Sequence, residues 1–353
     1  MAGLLDGMRV LDLSIWRPMP QATQMLADLG AEVLKVEPPG GDPMRSYPEI
    51  FASVARGKRS IVLDLKTPTG HTRAHELATR ADVVCEAWRP GVATRLGLDY
   101  EAVSAGNPSV IYCSLSGYGQ DGPLRSSPGH DVNFQAIAGA LEPRGPGGPD
   151  VPRLPVADLE GGSVCAFLIA AAWARRARTG EGERIDVAMA DAVSWWVGTR
   201  SGTAQVETSE RALGSPGYGV FRTRDGGWIA LGVLSEQRLW DAICRALDLG
   251  ALEGLSFTAL VPRTQEVNAT IAAAIATLDR VEALERLTAA GAPASPVLTP
   301  EEAVDHPQFV ERDFHLDTPV GRVAALPARL DLGGRVASVA LPSIDEHPGG
   351  FSD

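Results

Sequence analysis

The sequence predicts an α/β fold, with a Rossmann-like large domain built on a parallel sheet and a smaller α+β domain. In the first half, short apolar runs alternate with amphipathic ones, which is typical of a doubly wound sheet. Near residue 205 the pattern changes to a glycine-rich stretch and a hairpin signal. Hydrophobic residues make up 44%, enough for a sizeable core. We expect a large domain over 1–204, completed by 311–353, and a small domain over 205–310.

Periodicity places the elements of the large domain in order. Strands are predicted at 8–13, 32–36, 60–63, 82–87, 109–114 and 184–187. Helices are predicted at 21–29, 70–79, 161–178 and 188–198. The third of these helices follows Asp158, is apolar enough to be largely buried, and ends in basic residues that suit the helix dipole.

The small domain is predicted from a hairpin followed by helices. Strands at 219–222 and 228–233 flank Asp225-Gly226-Gly227, a turn sequence. Helices at 237–247, 267–278 and 281–290 follow, and then a strand at 294–298. The Pro- and Gly-rich tail has strand-like pieces at 320–323 and 336–341.

Charge and cysteine content narrow the function classes. A net charge of −12 disfavours nucleic acid as a partner. Charged residues interrupt the first twenty positions, and the longest apolar run, 164–174, is shorter than the ~20 residues of a membrane span. The four cysteines are scattered in apolar stretches, which is typical of buried thiols in a reducing compartment. We expect a cytoplasmic protein with no membrane partner and no metal.

Common nucleotide and hydrolase signatures are missing. The first strand is followed by SIWRPMP, with no GxGxxG to hold a dinucleotide phosphate. The sequence also contains no GxxxxGK[ST], HExxH or GxSxG. These absences argue against the commonest activities of this fold class.

Two residues can carry proton chemistry. His130 lies in a predicted loop, and its imidazole titrates near neutral pH, although a loop histidine is often only a surface residue. Asp158 lies near a helix start, where free backbone N–H groups could hold an enolate oxygen, although a simple helix cap is the alternative.

Basic residues cluster at the predicted strand ends of the large domain, where ligands of such sheets bind. Guanidinium and ammonium groups there can bind phosphates, and scattered surface charge is the alternative. These residues are Lys35, Lys58, Arg59, Lys66, Arg89 and Arg95.

Eight segments, taken in order, resemble the family III CoA-transferase superfamily, which contains formyl-CoA transferases and alpha-methylacyl-CoA racemases. They are LDGMRVLDLS…PQATQMLADLGAEVLKVEPP, RGKRSIVLDLKTPTG, EAWRPGVATRLGLDY, YCSLSGYGQDGP, PGHDVNFQAIAGAL, VADLEGGS, TGEGERIDVAMADA and GAPASPVLTPEEAVDHPQF. The resemblance implies an interlocked homodimer, a CoA-binding large domain and a small domain that completes the partner's active site.

The resemblance also assigns roles to residues. The Gly-His-Asp at 129–131, followed by Asn133 and an aromatic residue, is similar to the racemase branch. The aspartate matching Asp158 is a base in racemases and the nucleophile in transferases. Glu236 lies near a racemase glutamate that partners the histidine, but simple alignment puts Ser235 in that position.

For CoA, the resemblance implies that Arg89 and Arg95 approach the phosphates and that Lys58-Arg59 forms a contacting loop. Lys35 belongs to the same predicted set, and Tyr118 is predicted to line the acyl pocket. Pro38 stands where related racemases can carry an arginine.

We therefore predict racemisation or epimerisation of a 2-methylacyl-CoA through an enolate, with CoA as part of the substrate and no other cofactor. The alternative is CoA transfer between carboxylic acids through Asp158, which Gln135-Ala136 favours and the lack of a run of three glycines disfavours. A third possibility is a non-catalytic acyl-CoA-binding protein.

Overall fold

The computed structural model describes residues 3–141, 150–198, 215–330 and 338–352. The chain divides into two compact units, Met1–Thr199 with Pro307–Asp353, and Arg200–His306. The first predicted domain boundary, between residues 204 and 205, lies outside the described residues. The second unit ends at His306, four residues before the predicted boundary at 310.

Six parallel strands form the sheet of the first unit. They are β1 Arg9–Asp12, β2 Glu32–Glu37, β3 Arg59–Val62, β4 Val83–Glu86, β5 Ile111–Ser116 and β6 Glu183–Ala188. Their order is β3-β2-β1-β4-β5-β6, and every neighbouring pair is parallel. The predicted mixed α/β fold with a parallel sheet is confirmed. Because the order reverses between β1 and β4, a ligand crevice is expected at the carboxyl ends of these strands.

Helices cover both faces of this sheet. They are α1 Pro18–Asp28, α2 Pro48–Ala55, α3 Pro68–Arg80, α4 Val92–Arg95, α5 Tyr100–Gly106, α6 Asp131–Ile137, α7 Val156–Thr179 and α8 Met189–Val197. Successive strand residues point to opposite faces, so Val10 joins the core under α1 and α7 while Leu11 joins the core under α3. A proline at the first position begins α1, α2 and α3.

Helix α7 differs from the prediction in its start and its burial. It begins at Val156, so Asp158 lies in its first turn and does not precede it. One face, including Cys165 and Ile169, packs into the core, whereas Phe167 is 70% exposed. By length and composition alone α7 could cross a membrane, but core helices of soluble proteins meet the same criterion.

The second unit packs helices against a small antiparallel sheet. Its elements are β7 Tyr218–Arg222, β8 Trp228–Gly232, α9 Gln237–Ala246, α10 Phe257–Leu260, α11 Thr264–Ile275, α12 Arg280–Ala289, β9 Ala294–Pro296 and α13 Pro300–Val304. Gly226 takes a positive φ of 84° in the hairpin turn that the sequence predicted. Trp240, Ile271 and Leu287 lie in its core.

The chain returns to the first unit through α14 Pro307–Glu311 and the hairpin β10 His315–Thr318 and β11 Gly321–Ala324. Strand β11 replaces the predicted strand at 320–323, and β10 was not predicted. A strand was also predicted at 336–341. Residues 338–341 form no strand, and residues 336 and 337 lie outside the described residues.

Residues 338–352, the C-terminal segment, cover the outer edge of β3. The His347 N–H donates to the Ser60 carbonyl (2.8 Å), and the Val62 N–H donates to Asp345 Oδ1 (2.9 Å). Phe351 is buried in the core on that side of the sheet. The segment thereby satisfies an edge that would otherwise present unpaired backbone groups.

Candidate active site

A cavity of about 580 Å³ opens in the first unit, where the strand order reverses. Its walls come from the residues after β1 and β4, the end of β5, the loop before α6 and the first turn of α7. Four predicted site residues line it together: Asp158, His130, Arg89 and Tyr118. The convergence of Asp158 and His130 is the arrangement that a two-base mechanism requires.

Asp131 holds the first turn of α7 in place. Its Oδ1 accepts hydrogen bonds from the Ala157 N–H (2.7 Å) and the Asp158 N–H (3.2 Å), while Gln135 Nε2 donates to Oδ2 (2.6 Å). Asp131 therefore caps α7 from another helix. Because these two N–H groups are already occupied, the prediction that the start of this helix supplies them to an enolate oxygen is wrong.

The Asp158 carboxyl titrates close to neutral pH. Burial is the main cause that raises its pKa, to about 6, and the negative charge of Asp131 adds to this effect. The positive charges of Arg17 and His130 act in the opposite direction. A carboxyl with this pKa can both accept and return a proton under physiological conditions.

His130 occupies the N-cap position of α6 and is exposed. Its backbone N–H donates to Asn133 Oδ1 (3.0 Å), which fixes the turn. Behind it, Phe134 is buried and packs edge-on against Tyr118, with ring centroids 5.1 Å apart. Gly129 allows this packing, since a Cβ there would lie 2.7 Å from the Phe134 ring.

Lys35 and Lys58 are buried inside the first unit, which corrects the prediction that they contact CoA. Lys58 Nζ donates to Thr23 Oγ1 (2.6 Å) and the Pro20 carbonyl (2.9 Å) and pairs with Asp12 (3.1 Å). Lys35 Nζ pairs with Asp42 at 2.7 Å and also donates to a backbone carbonyl, and both ammonium groups are buried. Their donors are used by the protein, so they support the loop after β1 instead of meeting phosphate.

Arg59 is placed away from the cavity. Its Nε donates to the Gly350 carbonyl (3.0 Å) and lies 3.5 Å from Glu32, the first residue of β2. It therefore faces the amino end of the sheet, opposite to the cavity, and binds the C-terminal segment. The predicted CoA contact of Arg59 is not supported by this placement.

Arg95 and Lys66 line a second cavity of about 590 Å³ in the first unit. This cavity lies at the carboxyl ends of β1 to β4, and Ile15 and Trp88 line both cavities. The two cavities are therefore contiguous. Arg95 in one and Arg89 in the other remain suitable for an extended ligand that carries several phosphates.

Glu236 belongs to the second unit, at the N-cap of α9. Its Oε2 accepts the Leu234 N–H (3.1 Å), and backbone hydrogen bonds lower its pKa. Its predicted approach to the histidine of a partner chain stays a prediction. Among the described residues, no group of three or more His, Cys, Asp or Glu side chains is arranged to hold a metal ion.

Sequence reasoning missed two residues of the site. Asp131 was noted only as part of the GHD motif, and its contact with α7 bridges 26 positions of the chain. Arg17 lines the first cavity, and its Nε is buried without a hydrogen-bond partner among the described residues. The available signal for Arg17 was its position in the loop between β1 and α1, since such loops of a parallel sheet line ligand sites.

The profile of CoA-transferase family III matches residues 5–348, and the chain belongs to this family. The predicted family is thus confirmed, and the protein is an enzyme of a family that includes both racemases and CoA-transferases.

Two relatives represent these activities. The chain is 33% identical to the alpha-methylacyl-CoA racemase of Homo sapiens over 354 residues, which cover 98% of this chain and 90% of the relative. It is 35% identical to the acetyl-CoA:oxalate CoA-transferase of Acetobacter aceti over 341 residues, which cover 88% and 85%.

Solved structures agree in fold. A CAIB/BAIF family protein from Brucella suis superposes with a TM-score of 0.88 at 28% identity, covering 99% of this chain and 98% of the other. The orthorhombic form of Rv3272 from M. tuberculosis superposes with a TM-score of 0.86 at 32% identity, covering 99% of each chain.

Proposed function

We propose that the protein interconverts the two configurations at C2 of a 2-methylacyl-CoA thioester. The observation that carries this proposal is that Asp158 and His130 line one cavity, with the pKa of Asp158 at about 6. The racemase relative, 33% identical over nearly the whole chain, supports it.

In this mechanism CoA occupies the two contiguous cavities, with its phosphates near Arg95 and Arg89. The acyl group lies against apolar side chains such as Leu115, Phe134 and Met189. One of the pair Asp158 and His130 removes the C2 proton, leaving an enolate. The other delivers a proton to the opposite face, so the net change is inversion at one carbon.

CoA transfer is the second candidate. Asp158 would attack the acyl-CoA thioester to give a mixed anhydride and release CoA thiolate, which would attack the aspartyl carbonyl, release the first carboxylate and leave an aspartyl-CoA thioester. The same two steps in reverse with the second acid would pass CoA to that acid and regenerate Asp158. The acetyl-CoA:oxalate CoA-transferase relative, at similar identity, supports this alternative. His130 favours the racemase, because transfer through a single carboxylate requires no second base on the opposite face.

We also propose that the enzyme works as a cytoplasmic homodimer. Phe167 on α7 and Trp195 on α8 are each 70% exposed in the single chain, and Trp196 is 56% exposed. Trp195 and Trp196 contact each other, with ring centroids 5.4 Å apart, and large apolar side chains exposed in this way favour burial against a second copy. The interlocked arrangement that the family resemblance implies would also bring Glu236 to the partner's site.

The test is to incubate the protein with a chiral 2-methylacyl-CoA in deuterated water and to follow deuterium and configuration at C2. Exchange without an added carboxylic acid supports the racemase. CoA transfer to an added acid, with a hydroxylamine-sensitive adduct on Asp158, supports the alternative. Asp158→Asn should abolish either reaction, while Glu160→Gln, in the same helical turn, should retain it. Full exchange in Asp158→Asn would refute the assigned role.

A further inference from the structure

Arg17 has a buried donor with no partner in the described part of the chain. Its Nε is buried, and no hydrogen bond or ion pair of the described residues involves its guanidinium. A buried N–H without a partner is unfavourable, and more so when the group is charged. Such a group in a binding cavity therefore calls for a partner that is not part of the chain.

The backbone around Arg17 is fixed against the catalytic helix. Trp16 takes a positive φ of 66°, which turns the chain sharply before α1 begins at Pro18. Gly162 lets the Pro18 carbonyl come so close to α7 that a Cβ on this glycine would lie 2.6 Å from it. Gly162 follows Asp158 by one helical turn and shares its face. Arg17 is thus held beside the reacting carboxyl.

The cavity carries more positive than negative charge, against the net charge of −12 of the whole chain. Among the described residues, its lining contains three arginines and His130, with Asp158 as the single carboxylate. Arg89 and Arg125 are exposed, which suits the phosphates of CoA at the rim, whereas Arg17 is half-buried. An inner arginine with an open donor is suited to an anion that enters the acyl pocket itself.

We propose that Arg17 binds a carboxylate of the substrate beside Asp158, so that the enzyme acts on carboxylate-bearing substrates. The planar guanidinium can engage such a group with two parallel hydrogen bonds. The carboxylate can belong to the acyl group, as in a CoA thioester of a dicarboxylic acid, or to a free acid that enters as second substrate. This inference rests on the proposed acyl-CoA chemistry.

The experiment compares two matched thioesters, the 1-CoA thioester of 2-methylglutaric acid and its neutral 5-carboxamide. We expect the native enzyme to exchange the C2 hydrogen of the carboxylate thioester with a kcat/KM roughly tenfold to a hundredfold higher than that of the carboxamide. This is the ratio that one charged hydrogen-bonded pair is expected to give. Arg17→Gln should remove this preference, so that the variant exchanges the two thioesters with similar kcat/KM. Arg17→Lys should retain part of it, and Arg178→Gln, at the exposed end of α7, is the control that should leave it intact.

A second arm distinguishes the source of the carboxylate. With neutral 2-methylbutanoyl-CoA and added glutarate, a KM for glutarate that rises at least tenfold in Arg17→Gln assigns the site to a free acid. Calorimetry with unreactive thioether analogues of both thioesters supplies the same comparison without turnover.

If no thioester reacts, the proposed function fails. The role of Arg17 is then still decided by binding: the affinity ratio of the two analogues, and the affinity of the CoA-bound protein for free glutarate. Two results together would overturn the inference. In the first arm, the native enzyme would show no preference for the carboxylate over the carboxamide, or that preference would survive in Arg17→Gln. In the second arm, the same substitution would leave the binding of glutarate unchanged.

Discussion

At the scale of single residues, Asp131 has two effects on the same neighbour. Its hydrogen bonds to the first turn of α7 position Asp158, and its charge makes the ionised form of Asp158 less favourable. Asparagine at position 131 can keep the first effect and remove the second, since its side-chain oxygen still accepts an N–H. The two effects can therefore be separated by substitution.

In Asp131→Asn we expect the pKa of Asp158 to fall below about 6, because the repelling charge is gone. If ionised Asp158 is the base, the acid limb of the pH profile of C2 exchange moves to lower pH. Asp131→Ala should in addition lose about 1–2 kcal/mol of unfolding free energy, since α7 loses its cap. The measurements are pH–rate profiles and urea denaturation. An unmoved acid limb in Asp131→Asn would contradict the electrostatic role.

At the scale of elements, Lys35 within β2 and Lys58 just before β3 hold the loop that leads into α1. Burial by itself raises the pKa of Asp12, but the charges of Lys58 and Lys35, together with hydrogen bonds from Ser14 and Thr23, outweigh it and lower that pKa to about 2. Burial lowers the pKa of Lys58 to about 8, which Asp12 partly opposes. Both partners of the Asp12–Lys58 pair are therefore charged at neutral pH.

Lys58→Met should lower the unfolding free energy by about 3–5 kcal/mol, because it leaves Asp12 buried without its partner. The double variant Asp12→Asn with Lys58→Met should regain much of this loss, since no charge is then left unpaired. In the folded fraction, KM for the thioester should change little. Chemical denaturation and steady-state kinetics test this. A large rise in KM at undiminished stability would restore the original assignment of Lys58 to CoA.

The sequence predicted some elements well and others poorly, for physical reasons. Strands β4 and β5 are buried along their whole length and begin with apolar runs, as buried parallel strands do, and their predicted positions lie within two residues of the observed ones. Helix α6 has only seven residues and too few turns to show a period. The start of α7 was misplaced because its N-cap, Pro155, provides no side-chain hydrogen bond and the capping group is Asp131.

The candidate site was predictable only where the residue type itself is informative. His130 and Asp158 stood out through their chemistry and the family resemblance. A strand-end lysine such as Lys35 gives the same sequence pattern whether it faces solvent or a buried carboxylate such as Asp42, so its burial could not be inferred. Arg17 needs the packing of Gly162 against the start of α1, which is a tertiary contact.

At the scale of the whole molecule, the first unit is assembled from two distant parts of the chain. The C-terminal segment closes the β3 edge, and Phe351 anchors it in the core with Leu34 and Leu77. The stability of the sheet should therefore depend on a residue almost 300 positions away from β3.

Phe351→Ala should destabilise the first unit by about 3–5 kcal/mol, because it leaves a cavity in the core. Amide hydrogen exchange should speed up most at Ser60 and Val62, whose N–H groups bond to the segment. Ile344→Ala, at an exposed position of the same segment, is the control and should change stability by less than about 0.5 kcal/mol. Equal protection of β3 in both variants would refute the anchoring role.

The closure of β3 by residues 338–352 has a consequence during synthesis on the ribosome. Once β6 has been translated, the 149 residues from 189 to 337 must be added before the segment begins, which takes roughly 7–30 s at ordinary elongation rates. The second unit is contiguous and can fold within this interval, while the nascent sheet still presents an open edge. This is the period in which the polypeptide is most exposed to aggregation and most in need of a chaperone.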